Sequence, residues 1–262
     1  MAYVNYLSIF ALSALLAGCD NPQMQTQDGP PLHQKNVSLI PNATPRYLAK
    51  SRFGNPPSYQ VNGQTYHVLN TAVGYNQRGI ASWYGSKFTN KLTSTRERYD
   101  PYKMTAASPV LPIPCFARVT NLGNGRSVIV KVNDRGPFAP NRIIDLSYAA
   151  AIKLGYEQHG TALVEVAAID VNNPYPNSPN FNARHPQLYL QLGAFSEYPN
   201  AHRLQQQIAY VTDRTTHIRT SDIRHKILYR VQLGPLKGVG ESDRLQALLQ
   251  KEGYGRAITL IQ

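Results

Sequence analysis

The stretch Arg126–Ser147, reading R-S-V-I-V-K-V-N-D-R-G-P-F-A-P-N-R-I-I-D-L-S, constrains this chain more than any other. Val128, Val130 and Val132 alternate with Ile129, Lys131 and Asn133, a β-branched run of period two that predicts a strand. Asp134-Arg135-Gly136-Pro137 ends it with turn chemistry, since proline has no N–H for a ladder and glycine accepts backbone conformations that other residues avoid. A short strand at Ile143-Ile144 is expected next. Asp145 stands at the N-cap position of a helix over Leu146–Leu154, and Gly155 closes that helix. Asp134 is thereby delivered to the lip of a sheet among polar neighbours, a position that suits either a catalytic carboxylate or an ordinary turn aspartate.

Short strands spaced every ten residues or so, with one helix, predict a small closed β fold from residue 78 to 170. Its remaining strands are Gly79–Tyr84, Thr105–Ala107, Phe116–Thr120 and Thr161–Ile169, with a turn at Asn121–Gly125. Trp83 suits a sugar-stacking ring and a core residue equally well. Upstream, Tyr59–Leu69 reads strand, Asn-Gly turn, strand, which is a hairpin signal. Asp20–Pro57, rich in Pro, Asn, Gln and Ser, is expected to be a flexible tether. Val171–Pro186 is a second low-apolar segment, an Asn/Pro linker.

The last part of the chain, 187–262, holds an internal repeat. Gln191-Leu192-Gly193 recurs as Gln232-Leu233-Gly234, and Arg203-Leu204-Gln205 as Arg244-Leu245-Gln246, both at an offset of 41. Two copies of one strand–helix–strand unit predict a βαββαβ domain with both helices on one face of the sheet. If Leu190, Leu192, Val231 and Leu233 face the helices, then Tyr189, Gln191, Arg230 and Gln232 point to the bare side, where amide, ring and guanidinium groups suit sugars.

At the other end, Tyr6–Leu16 is an apolar run of eleven residues, too short for a span of about 20 residues. It leads into Leu16-Ala17-Gly18-Cys19, which resembles a bacterial lipobox with cleavage before Cys19. Residues 1–18 are then a lipoprotein signal peptide, and 19–77 carry the lipid anchor, the tether and the lead-in hairpin. Cys115 is left as a small, buried thiol in an apolar strand. The histidines are scattered without metal-ligand spacing, so neither a metal site nor a cofactor is expected. The net charge of +12 is spread out and contains no dense basic run, which favours a mildly basic surface for an acidic polymer over a nucleic-acid patch.

V-K-V-N-D-R-G-P-F with R-I-I-D-L-S-x-A-A-A, G-I-A-S-W-Y-G (Gly79–Gly85) and L-P-I-P-C-F-A-R-V-T-N-L (Leu111–Leu122) resemble the double-psi β-barrel of the rare lipoprotein A (RlpA) family. The C-terminal repeat resembles the SPOR domain, which binds peptidoglycan glycan strands stripped of stem peptides. The resemblance implies a six-stranded double-psi β-barrel followed by a SPOR domain. It also implies an endolytic transglycosylase that cleaves MurNAc–GlcNAc bonds to 1,6-anhydro ends during cell-wall remodelling and septation. That reaction needs an acid for the leaving oxygen, and the same carboxylate can then take the 6-hydroxyl proton.

Asp134 matches the family's catalytic aspartate, Glu97 its glutamate, and Gln191 the functional glutamine of the first SPOR repeat. The family's histidine, in A-A-H, is Ser108 here, and serine cannot shuttle a proton near neutral pH. Arg96 and Arg98 flank Glu97 and are expected to favour its ionised form. A second reading therefore stays open, that of a non-catalytic septal lipoprotein whose barrel only holds glycan. The family is placed in the outer membrane, whereas Asp20 after the lipidated cysteine resembles an inner-membrane retention signal. Proteins of the division septum are the further partners the resemblance suggests.

Overall fold

The computed structural model describes residues 28–32, 35–171, 186–223 and 225–262, so the calls on Cys19, Asp20 and most of the Asn/Pro linker lie outside the described residues. In chain order the elements begin with the hairpin β1 (Ser58–Val61) and β2 (Gln64–His67). The barrel strands follow: β3 (Asn76–Tyr84), β4 (Thr105–Ala107), β5 (Cys115–Asn121), β6 (Ser127–Asp134), β7 (Arg142–Ser147) and, after helix α1 (Tyr148–Leu154), β8 (Thr161–Ala168). They close in the order β3-β7-β4-β6-β5-β8. Two neighbouring pairs, β3–β7 and β4–β6, run parallel, and the others are antiparallel. This is the six-stranded double-psi barrel.

Its core is built by alternation. Val128, Val130 and Val132 of β6, Ala106 of β4, and Ile144 and Leu146 of β7 point inward and are fully or almost fully buried. At about 25 cal/mol per Å2 of apolar surface removed from water, each fully buried Val, Leu or Ile contributes roughly 1.5–3 kcal/mol. Helix α1 caps one end with Ala149, Ala150, Ala151 and Leu154. Its N-cap is Ser147, whose hydroxyl accepts from Ala150 N at 3.3 Å, and Gly155 ends it in the left-handed conformation, φ 73°. Asp145 is thus not the cap. β7 runs two residues past it, because Asp145, Leu146 and Ser147 pair in register with Ser82, Trp83 and Tyr84 of β3.

The hairpin turns at Asn62-Gly63 with both residues at positive φ, 50° and 76°, as a two-residue type I′ turn requires. The segment before it is not free. Val37 is buried in the barrel core, Ala43 N donates to Ile129 O and Ser51 N to Ile113 O, and Lys153 Nζ donates to Ile40 O. Farther up, Asp28 pairs with Lys87, and Ser86 N donates to Gly29 O at 2.8 Å; a side chain at Gly85 would collide with this strap.

The second domain is β9 (Leu188–Phe195), α2 (Tyr198–Thr212), β10 (Thr216–Ile223), β11 (Lys226–Leu236), α3 (Val239–Lys251) and β12 (Ile258–Ile261), with sheet order β10-β11-β9-β12. This is the βαββαβ arrangement implied by the 41-residue repeat. Leu190 and Leu233 join Ile208, Leu245 and Leu249 of the helices in one core, with Leu192 packed against it. The two domains touch. Arg142 of β7 pairs with Asp243 of α3 through two hydrogen bonds, 3.1 and 2.6 Å, and Gln246 Nε2 donates to Asn141 Oδ1 at 3.2 Å.

Candidate active site and glycan-binding face

β6 ends in a bulge. Thr105 and Ala106 of β4 pair with Lys131 and Val132, but Ala107 pairs with Asp134, which leaves Asn133 as the extra residue. On its other side Ala107 pairs with Asp145, and Asp145 pairs with Ser82. Ala106, Ile144, Leu146 and Ala81 all join the interior core, so their strand neighbours Ala107, Asp145 and Ser82 face outward. Asp134, Ala107, Asp145 and Ser82 therefore form one row across four strands on the outside of the barrel. The loop after β6 borders the row. Gly136, at φ 129°, lets the chain pass close to Ala107, and Phe138 packs edge-on against Tyr59 and Tyr66, which stack with centroids 5.3 Å apart.

Asp134 is anchored through one oxygen. Its Oδ1 accepts from Ser94 N at 2.8 Å, Ser94 Oγ at 2.6 Å and Arg135 N at 2.8 Å. Its Oδ2 has no hydrogen-bond partner among the described residues. The Arg135 guanidinium turns away from the carboxylate. It donates to Gly54 O, Ser108 O and Leu111 O and to Asn55 Oδ1, at 2.6, 2.9, 2.6 and 3.1 Å, and so ties the strap and the loop after β4 to the Asp134 turn.

Glu97 comes from the same loop as Ser94. Burial pushes its carboxyl up, but hydrogen bonds from Lys131 and Asn133, with the charges of Lys131 and Lys103, outweigh this and hold it below the usual range. Arg96 and Arg98 are not the cause. Arg96 stands over the Phe53 ring, and Arg98 donates to Asn90 O. Glu97 lines a cleft of about 490 Å3 with Lys103, Lys131 and the strap residues Ile40–Leu48; Asp134 does not border that cleft. The two carboxylates are linked through each other's neighbours: Ser94, three residues before Glu97, donates to Asp134 Oδ1, and Asn133, next to Asp134, donates to Glu97 Oε2 at 2.9 Å.

Ser108 is fully buried. Its N donates to Asp134 O, and its Oγ accepts from Val110 N and Leu111 N, so the side chain works as a turn cap. Trp83 is a core residue, half-buried on the barrel cluster with Nε1 donating to Glu157 O at 3.1 Å. Cys115 is a free thiol whose burial pushes it up to about 12, which makes it unreactive at neutral pH.

The sequence reading missed Asp145. Burial raises its carboxyl to about 7, the nearby charges of Asp28 and Asp134 add to the rise, and the Ser82 hydroxyl and Arg142 oppose it. Its Oδ1 is buried and has no hydrogen-bond partner among the described residues. The alternation of Ile144 and Leu146 around it was the signal available in the sequence.

On the second domain, Tyr189, Gln191, Arg230 and Gln232 do share one face of the sheet, but the face is not bare. Tyr189, Gln191 and Gln232 are buried, at 3, 8 and 3% exposure. Arg219, which pairs with Arg230 in register, lies over the Tyr189 ring at 5.5 Å. Arg230 spans from Ser221 Oγ, 2.9 Å, to Gln191 Oε1, 3.1 Å. Two guanidinium groups thus form an outer layer over an amide and tyrosine floor.

Residues 76–166 match the family model described as "Lytic transglycolase", and residues 186–259 match the model of the SPOR domain. The endolytic peptidoglycan transglycosylase RlpA of Pseudomonas aeruginosa (strain UCBPP-PA14) is 35% identical over 301 residues, covering 94% of this chain and 88% of the relative. The protein of the same name from Vibrio cholerae (serotype O1, strain El Tor Inaba N16961) is 36% identical over 261 residues, covering 97% and 96%. This chain belongs to the RlpA family. Among solved structures, the crystal structure of the RlpA SPOR domain from Pseudomonas aeruginosa is similar at 32% identity and a TM-score of 0.27, covering 28% of this chain and 96% of that one.

Proposed function

We propose that this chain is an endolytic peptidoglycan transglycosylase acting on glycan strands that lack stem peptides. Asp134 is the observation that carries the reading. It is a carboxylate fixed through Oδ1 by three donors, with Oδ2 uncommitted, at the edge of an outward row floored by a single alanine. In the reaction the MurNAc 6-hydroxyl attacks its own C1 and the GlcNAc O4 departs. Asp134 is the base that takes the 6-hydroxyl proton, and Ser94 keeps its carboxylate at one angle. Glu97, held in its ion pair, organises Lys131 and Asn133 beside the bulge and is unsuited to giving up a proton. The SPOR face holds the strand through Gln191, Arg219 and Arg230, and the aromatic floor residue Tyr189 supports that layer. Cys19 carries the lipid, so the molecule works from a membrane surface toward the wall, at the division septum.

Asp134→Asn tests the reading. It should abolish release of 1,6-anhydro ends from amidase-treated sacculi while melting temperature and sacculus binding stay within error of wild type. Residual anhydro product at the wild-type rate would remove Asp134 from the chemistry. Cys19→Ser should move the protein from the membrane fraction to the soluble periplasmic fraction; a variant that still sediments with membranes refutes the anchor.

Ser108 favours the second reading, a barrel that holds glycan without cutting it. Its hydroxyl is committed to two backbone N–H groups and the residue is fully buried. That reading predicts no anhydro ends from folded wild-type protein bound to its substrate.

A further inference from the structure

We propose that Asp145 is the proton donor of this outward row, standing across Ala107 from Asp134. The inference rests on the transglycosylase reading and supplies the acid that the reading leaves unassigned. Asp134 and Asp145 are both register partners of Ala107, one on each neighbouring strand. Two strand spacings put their Cα atoms roughly 10 Å apart, with only a methyl group between them. That gap accommodates the linkage between two pyranose rings, one carboxyl on each side. Ile144 and Leu146, the chain neighbours of Asp145, are buried in the barrel, so the strand cannot turn the carboxyl inward without breaking the core.

The Asp145 carboxyl is also built unlike a structural one. A buried aspartate that serves only the fold is normally paired or hydrogen-bonded at both oxygens. Here Oδ1 is buried without a partner, and no ion pair neutralises the group among the described residues. With one oxygen unsatisfied and only the Ser82 hydroxyl bonded to the group, burial dominates and raises the carboxyl to about 7 against an ordinary 3.8. The charged and titratable groups facing it are Asp28 from the strap, Asp134 from β6, Arg142 from its own strand, and the phenols of Tyr84, Tyr99 and Tyr156. Of these only Arg142 favours ionisation, and it is engaged by Asp243.

The step balances without water. The Asp145 proton passes to the glycosidic O4 as the C1–O4 bond breaks and its electron pair goes to O4. The MurNAc O6 forms the new bond to C1, and its proton passes to Asp134. One carboxyl starts protonated and ends ionised, the other does the reverse, and a proton exchanged through solvent restores both. The acid form of Asp145 is required, so its contribution is full below its titration and the rate falls as pH rises through about 7, while the ionised form required of Asp134 sets the acid limb.

The full-length chain and its Asp145→Asn variant, assayed side by side, test this. On amidase-treated sacculi, Asp145→Asn should lose at least about 100-fold in rate, together with the basic limb near neutrality, with binding unchanged. On a 4-nitrophenyl β-glycoside of a MurNAc-terminated saccharide, whose leaving group departs without a proton, the same variant should stay within about 10-fold of wild type. Asp134→Asn should fail on both substrates. Equal loss of both activities in a folded Asp145→Asn protein, or no loss of either, overturns the assignment while leaving the transglycosylase reading intact. If wild type makes no anhydro ends, the reading itself falls, and the acid role with it. Should Asp145→Asn not fold, carbon-13 titration of the wild-type carboxyls decides: a midpoint near 7 supports the proposal, and one in the ordinary carboxylate range overturns it.

Discussion

Arg135 shows how much of the site is held by a residue that does no chemistry. Its guanidinium makes four hydrogen bonds to acceptors from Gly54, Asn55, Ser108 and Leu111, three of them main-chain carbonyls. Partial burial lowers the pKa of this cation, yet its ordinary value is so high that it stays charged. Lysine keeps the charge but is a point donor that cannot span four acceptors in one plane. Arg135→Lys should therefore destabilise the protein by about 2–3 kcal/mol, since buried acceptors are left unmet at roughly 1–3 kcal/mol each and lysine recovers some of them. Urea unfolding measures it; a midpoint equal to wild type would mean that solvent satisfies those carbonyls. None of this was legible in the sequence. Asp134 was, because an alternating valine strand running into Asp-Arg-Gly-Pro fixes where the chain must turn. The partners of Asp134 and Arg135 come from loops some 24 to 81 positions away, and loop carbonyls leave no pattern in side-chain types. Asp145 was misplaced for a related reason. Asp-Leu-Ser offers two capping side chains, and pairing with β3, a tertiary effect, decided in favour of Ser147.

At the scale of elements, the segment Asp20–Pro57 and the SPOR sheet depart from expectation in the same way. The first is poor in apolar residues and was expected to be a tether, yet from Val37 onward it is bound to the barrel through backbone hydrogen bonds and one buried valine. Composition reports the side chains that can build a core; it is silent on backbone donors that find a neighbour's carbonyl. The second has the predicted parity, but long arginines from β10 and β11 lie flat across it. Register explains this, because Arg219 faces Arg230 and both reach over the Tyr189–Gln191 floor. On the proposed binding face a glycan strand would meet the guanidinium layer first. Arg219→Ala should thus weaken binding to amidase-treated sacculi by about 10-fold, and Gln191→Ala by a similar factor through loss of the hydrogen bond that orients Arg230, a charged-group bond worth about 1.5–3 kcal/mol. Pull-down against treated and untreated sacculi reads both. Binding unaffected in either variant would remove this face from recognition.

Across the whole molecule the barrel and the SPOR domain are joined by a contact that ends on β7, a strand of the proposed Asp134–Asp145 row. Arg142 opens β7 three residues before Asp145, its side chain is only 9% exposed, and both terminal nitrogens reach Asp243 of α3. Gln246, one helical turn further on, is buried at 2% exposure against Asn141 and Ala257. A paired arginine at such a contact stabilises mainly by the penalty of breaking it, because removing the carboxylate strands a buried charge at a cost of roughly 3 kcal/mol. Asp243→Ala should impose that cost on the domain contact and leave both cores alone. Scanning calorimetry should then show the wild-type chain melting as one coupled unit and Asp243→Ala resolving into separate barrel and SPOR transitions, with Arg142→Ala doing the same. Sacculus binding, proposed for the side of the SPOR domain opposite its helices, should be unchanged. A short interdomain contact of this kind matters for an endolytic enzyme because it would set where along a bound strand the proposed Asp134–Asp145 row falls. If the transitions in Asp243→Ala remain coupled as in wild type, the ion pair does not hold the domains, and the spacing between grip and cut is left to the linker alone.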